Sequence, residues 1–169
     1  MAPPTPKALR VGFDVTSVTS HRTRGIASYI KALLPALEAA APWVEPVLFL
    51  RNERWLRKEA LAYLLPDAER RWILDPLKTP LGDLDVYHGM GTHLPRRRRT
   101  RRSFTLHDLR SFDLDGVLPE ESSRRVQTIR RADRILCISE YGRGRLLHHI
   151  PDLTPQSIEV IHHGVDLER

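Results

Sequence analysis

From Leu9 to Leu50 the chain reads LRVGFDVTSVTSHRTRGIASYIKALLPALEAAAPWVEPVLFL. Its first seven residues are apolar and β-prone without a helical period, which predicts a buried strand. After a polar loop, IASYIKALLPALEAAAP repeats apolar side chains at helical spacing, which predicts an amphipathic helix with Pro35 inside it. The stretch VEPVLFL then predicts a second strand. This order of strand, helix and strand is typical of a parallel sheet.

The same alternation continues through the rest of the chain. Further helices are predicted over 52–65, 120–132 and 139–150, and strands over 70–75, 85–89, 103–107, 133–139 and 156–166. Neither a repeat nor a domain boundary interrupts the pattern. The sequence therefore predicts one α/β domain with a mostly parallel sheet over residues 9–169, after a proline-containing, disordered lead-in over residues 1–8.

Composition favours anionic partners. Lys and Arg number 27 against 21 Asp and Glu, which gives a net charge of +6. The single cysteine, Cys137, excludes an intrachain disulfide and favours a reducing, cytoplasmic setting. The lead-in lacks the apolar core of a signal peptide, and no apolar run approaches the roughly 20 residues needed to span a bilayer. The sequence leaves peripheral binding to the inner face of a membrane as an alternative.

Two features point to a site at one edge of the sheet. Ligands of open α/β sheets bind at the carboxyl ends of the strands, and His107 lies where a predicted strand ends. Gly25 begins the first helix, where the backbone amides and the helix dipole favour an anion such as phosphate. The two residues are expected to face one cleft. Asp108 is expected to orient the loop, and Asp14 either faces the cleft or makes a buried hydrogen bond.

Several motifs, in their order, resemble the N-terminal domain of the family 4 (group 1) glycosyltransferases of GT-B architecture. They are VGFDVTSV, TRGIASYIKALLPAL, DVYHG, FTLHDL, RRADRILCISEYGRGRL and IEVIHHGVD. The resemblance covers the chain from Leu9 onward. It implies a single Rossmann-like domain with helices on both faces of the sheet, holding the acceptor side of the site.

The resemblance also implies an activity. Members of the family transfer a sugar from a nucleotide-sugar, usually with retention and without a bound metal or other cofactor. It implies that the turn at Gly25 and Ile26 approaches the donor diphosphate and that His107 approaches the transferred sugar. Developing charge on the leaving diphosphate needs stabilisation, and the sugar must be held beside the incoming hydroxyl.

Three departures from the family pattern stand out. Ala27 replaces a frequent second glycine, His163 replaces the usual asparagine before Gly-Val-Asp, and the sequence ends where an interdomain linker normally begins. The chain is therefore expected to be an acceptor-side half that is incomplete for catalysis alone. Its donor-binding domain is expected to be absent. Two alternatives remain: a separate subunit supplies that domain, or a homodimer covers the exposed face of the cleft.

A rival interpretation is a non-catalytic binding or assembly module. The run RRRRTRR holds Arg96, Arg97, Arg98 and Arg99, which form either a solvated loop or a site for anionic acceptors or membrane phosphates. Nucleic acid is poorly supported, since no aromatic residues interleave with the arginines. The histidine pairs lack zinc-site spacing, and the Gly-x-Gly-x-x-Gly pattern of nicotinamide enzymes is missing. Ser139 is predicted to cap a helix rather than to act as a nucleophile.

Overall fold

Seven parallel strands form one sheet in the computed structural model, which describes residues 8–20, 24–51, 61, 63–73, 81–90, 94–95, 100–109, 112 and 119–164. The strands are β1 (Leu9–Asp14), β2 (Val44–Arg51), β3 (Glu69–Ile73), β4 (Val86–Gly89), β5 (Arg101–Leu106), β6 (Arg134–Cys137) and β7 (Ile158–Val160). Their order across the sheet is β3-β2-β1-β4-β5-β6-β7. The predicted α/β class and parallel, Rossmann-like sheet are thereby confirmed.

Three helices accompany the sheet in the described part of the chain: α1 (Arg24–Ala40), α2 (Pro119–Ile129) and α3 (Glu140–His149). Short 3-10 turns occupy Thr16–Thr19 and Pro155–Ser157. Pro35 lies inside α1, as the sequence predicts. The predicted helix over 52–65 falls mostly outside the described residues. No helix within the described ranges is both long and apolar enough to cross a membrane.

Helices cover both faces of the sheet because successive residues of each central strand point to opposite sides. On β2, Leu48 packs in one core cluster with Ile30 of α1, whereas Phe49 packs in the other. The cluster that contains Phe49 also contains Ile129 of α2 and Leu146 of α3. Strands buried on both faces explain the near-continuous apolar runs in the sequence.

Gly12 lets the centre of the sheet pack closely. A Cβ atom at this position would lie 2.7 Å from Leu84 Cδ1 and 2.7 Å from a ring carbon of Phe49. Both neighbours are buried, so neither can move away without disturbing the core. The glycine in the first strand is therefore required by packing.

An ion cluster ties the amino ends of the strands together. The Arg71 guanidinium lies 2.7 Å from Glu69 and 2.5 Å from Asp83, and Arg10 pairs with the same two carboxylates. Hydrogen bonding to Arg71 lowers the pKa of the Asp83 carboxyl and also that of Glu69. The cluster lies at the sheet edge opposite to the predicted site, and we assign it a structural role.

Candidate active site

The carboxyl edge of the sheet contains the switch point of the fold. Strands β1, β2 and β3 follow one another towards one side, and β4 then pairs with β1 on its other side. Adjacent strands with connections running in opposite directions leave a crevice at their carboxyl ends. Helix α1 begins after β1, so its N-terminus belongs to this edge.

Gly25 lies in the first turn of α1 and is exposed. Among the described residues, no atom outside its chain neighbours and its own helix backbone lies within 4 Å of the place where a Cβ would stand, and the first turn carries no acidic residue. Ile26 is half-buried and packs against the core beneath α1. The backbone at Gly25 is therefore open to an approaching ligand, whereas the Ile26 side chain is part of the packing.

Three aromatic rings meet at this edge. His107 directly follows β5, and its ring centroid lies 5.0 Å from that of Tyr29 in an edge-to-face arrangement. His163, after β7, stacks on Tyr29 at 4.4 Å and lies 5.2 Å from His107. Tyr29 is four residues, about 6 Å along the helix axis, beyond Gly25. The structure thus brings His107 to the same edge as the start of α1.

The environment of His107 keeps its imidazole neutral near pH 7. Partial burial and the nearby His163 lower the pKa of His107, while a hydrogen bond to the Met90 backbone and the Asp108 carboxylate oppose the change. The Nε2 atom is buried and has no hydrogen-bond partner among the described residues. A neutral ring held through its other nitrogen keeps Nε2 as an acceptor.

A buried polar layer supports the ring cluster from the sheet. His88 on β4 lies 2.8 Å from Ser103 Oγ through Nδ1 and 3.0 Å from Thr105 Oγ1 through Nε2. The Tyr29 hydroxyl is 3.5 Å from the same Thr105 oxygen. Burial lowers the pKa of His88 to about 4, so its imidazole is neutral and both ring nitrogens are satisfied. His88 is buried and serves the architecture of the site.

A pocket of about 270 Å³ opens on the other side of His107. Its polar lining includes His107, Asp108, Ser139, Tyr141, Gly142 and Arg145. The Ser139 hydroxyl accepts a hydrogen bond of 3.0 Å from the Gly142 amide, which confirms the predicted cap of α3. Gly25 does not line this pocket.

The two predicted aspartates are engaged within the protein. Asp108 is held by Arg125, whose guanidinium donates to the Asp108 carbonyl at 2.5 Å and lies 3.5 Å from its carboxylate. Asp14 is buried and accepts a hydrogen bond of 3.0 Å from the Thr16 amide. Both contacts order the loops that follow β5 and β1.

The predicted anion-binding residues Arg96, Arg97, Arg98 and Arg99 lie outside the described residues. Their described neighbour, Thr100, immediately precedes β5. A strand rises about 3.3 Å per residue, so Thr100 is separated from His107 by about 23 Å along the strand. At Arg102 the side chain is buried and pairs with Asp133.

Three site residues escaped the sequence analysis as functional candidates. Tyr29 matched the apolar face of a helix, and His88 belonged to a predicted buried strand. His163 was noted only as a departure from the asparagine usual in the family. That departure was the one available signal, because nothing in the local sequence shows that residues 29, 107 and 163 meet.

In the described ranges, no group of three or more His, Cys, Asp or Glu side chains is arranged around a common point. Burial raises the pKa of the Cys137 thiol to about 11, so it is protonated at neutral pH. Its role in the core is packing.

The family model described as Glycosyltransferase Family 4 matches residues 8–169. No curated protein matches the chain significantly.

Proposed function

Since the chain belongs to glycosyltransferase family 4, we propose that it is the acceptor-side half of a retaining, nucleotide-sugar-dependent glycosyltransferase. It works with a donor-binding domain, supplied in the same polypeptide or by a separate subunit, and needs no bound metal. The observation that carries this proposal is the meeting of His107 with Tyr29 of α1 at the carboxyl edge of the sheet.

The start of α1 suits the donor diphosphate. Gly25 has no side chain to block an approaching ligand, and the first amides of a 17-residue helix point towards this end. In the transfer, the bond between the anomeric carbon and the diphosphate breaks, so negative charge develops on the leaving oxygen. Amides fixed in advance stabilise that charge without reorganisation.

His107 suits the acceptor side. Its imidazole is neutral at pH 7, and Nε2 has an unused lone pair. Because Nε2 is buried in the free chain, the rings around it must shift on binding before a hydroxyl of the bound sugars can donate to that nitrogen. The acceptor's proton leaves with the diphosphate, which balances the reaction. The adjacent pocket beside Ser139 and Tyr141 offers space for the acceptor.

The test joins this chain to the donor-binding domain of another family 4 enzyme and measures sugar transfer from a panel of nucleotide-sugars. In an active pair, His107→Ala is expected to lower kcat by about 100-fold or more. His148→Ala is the matched control, because His148 is exposed at the far end of α3. The isolated chain is expected to be inactive.

Two outcomes would contradict the proposal. Transfer by the isolated chain would show that no donor-binding partner is needed. An active pair in which His107→Ala retains full kcat would remove the assigned role of that imidazole.

A further inference from the structure

The ring cluster contains a second imidazole to which the proposed function gives no role. His163 is exposed, and its ring stacks on Tyr29 with a centroid distance of 4.4 Å and an interplanar angle of 21°. The same ring lies 5.2 Å from His107 at an interplanar angle of 58°. Tyr29 thus contacts both imidazoles and fixes the distance between them.

We propose that His163 is a positioning residue of this site, and that its protonation keeps the neighbouring His107 in the neutral form as the pH falls. The exposed ring takes up a proton more readily than the half-buried one. A positive charge at about 5 Å then opposes a second proton on His107, since like charges at this distance repel. The pair therefore titrates as a unit.

Other groups around His107 do not supply this charge. His88 lies beneath it on β4, and burial holds the pKa of His88 near 4, so that ring is neutral over the relevant range. Tyr29 packs from α1. Asp108, which pairs with Arg125 of α2, favours a protonated His107 and thus opposes His163.

From α3, Arg145 lines the pocket beside His107 and lies 3.2 Å from the His149 ring. Its charge is constant over the range in which imidazoles titrate. Arg145 therefore contributes a fixed background, whereas the contribution of His163 changes with pH.

The directions in which the pKa values of the two histidines shift agree with the geometry. Partial burial lowers the pKa of His107, and His163 is the second cause of that decrease. Partial desolvation also lowers the pKa of His163. For catalysis, the inference rests on the proposed function, because a protonated His107 cannot accept a hydrogen bond from a substrate hydroxyl. The protonation coupling itself does not depend on the proposed function.

Nuclear magnetic resonance of the full chain tests the coupling directly. The His107 Hε1 signal, assigned by its loss in His107→Gln, is followed from pH 8 to pH 4.5. His163→Phe keeps an aromatic ring against Tyr29 but cannot be protonated. In this variant the midpoint for His107 is expected to rise by about half to one pH unit. His148→Phe, at the exposed end of α3, should leave it unchanged.

His163→Lys separates charge from packing. Lysine stays positive throughout the titration, so the His107 midpoint is expected to lie at or below the wild-type value. If His163→Phe and His163→Lys give the same midpoint, the charge of His163 plays no part and the inference is wrong. Ring-current shifts of the Tyr29 signals report whether each variant keeps the cluster packed.

In an active pair with a donor domain, the acid limb of kcat/KM should move to higher pH in His163→Phe by the same amount. A shifted NMR midpoint without detectable transfer would contradict the proposed function alone. Unchanged midpoints with measurable transfer would contradict the role of His163 alone.

Discussion

Replacing His88 by glutamine is expected to flatten the pH dependence of folding stability between pH 7 and pH 4. Burial lowers the pKa of His88 from 6.5 to about 4 in the folded protein. The unfolded chain therefore takes up a proton on this imidazole at a higher pH than the folded protein does. Acidification then favours unfolding, and the loss begins near pH 6.5 and is complete below pH 4.

The size of the effect follows from the difference between the two pKa values. A decrease from 6.5 to about 4 corresponds to about 3 kcal/mol of stability lost on acidification, at about 1.4 kcal/mol per unit. Glutamine keeps a donor and an acceptor near Ser103 and Thr105 but does not titrate. The variant is expected to be less stable at pH 7, by about 1 kcal/mol for each hydrogen bond of His88 that glutamine does not replace.

Urea denaturation at half-unit steps of pH measures the free energy of unfolding of both proteins. The wild-type value minus the variant value should decrease by about 3 kcal/mol from pH 7 to pH 4. Carboxylates and the other histidines affect both proteins alike, so the difference isolates His88. His148→Gln, on the exposed end of α3, is the control and should follow the wild type. Parallel curves for wild type and His88→Gln would refute a buried, neutral imidazole at this position.

Three further predictions concern other parts of the chain. Arg71→Gln is expected to lower stability by about 1 kcal/mol in low salt and less in high salt. Arg71 also lowers the pKa of Asp83, so the folded protein loses stability as the pH falls below 4. This loss should be smaller in Asp83→Asn. Ser139→Ala is expected to cost about 1 kcal/mol in thermal denaturation, because the Gly142 amide loses its cap, whereas Ser139→Asp should retain most of it. Replacing Arg96–Arg99 by alanine is expected to weaken salt-sensitive binding to vesicles with anionic lipids, while replacement by lysine should preserve it; equal binding by the two variants would contradict a charge-based contact.

Much of the fold followed from local patterns. The continuous apolar run around Val11 and Phe13 was sufficient to predict β1, because a strand buried on both faces shows no alternation. The helical period around Ile30 was sufficient to predict α1, because burial on one side of a helix imposes a period of 3.6 residues. Elements of one domain that alternate as strand and helix form a parallel sheet, and His107 could be placed at its carboxyl edge. The serine cap at Ser139 was likewise predictable, since capping joins residues only three positions apart.

The limits of local patterns explain what was missed. Asn52 and the residues after it predicted a helix over 52–65. Most of this range lies outside the described residues and stays untested, but residues 63–65 are not helical. His88 lies in a strand of four residues, too short for its pattern to identify a buried histidine. Only the register of β4 against β5 places Ser103 directly opposite it.

The sequence by itself determined the approximate positions of the described strands and helices and which edge of the sheet carries His107. Only the tertiary structure decided that Tyr29, His107 and His163 form one cluster and that His88 supports it from below. The physical reason is sequence separation. Secondary structure depends on neighbours within a few residues, whereas these contacts join residues far apart in the chain, which meet only when helix and strands pack together.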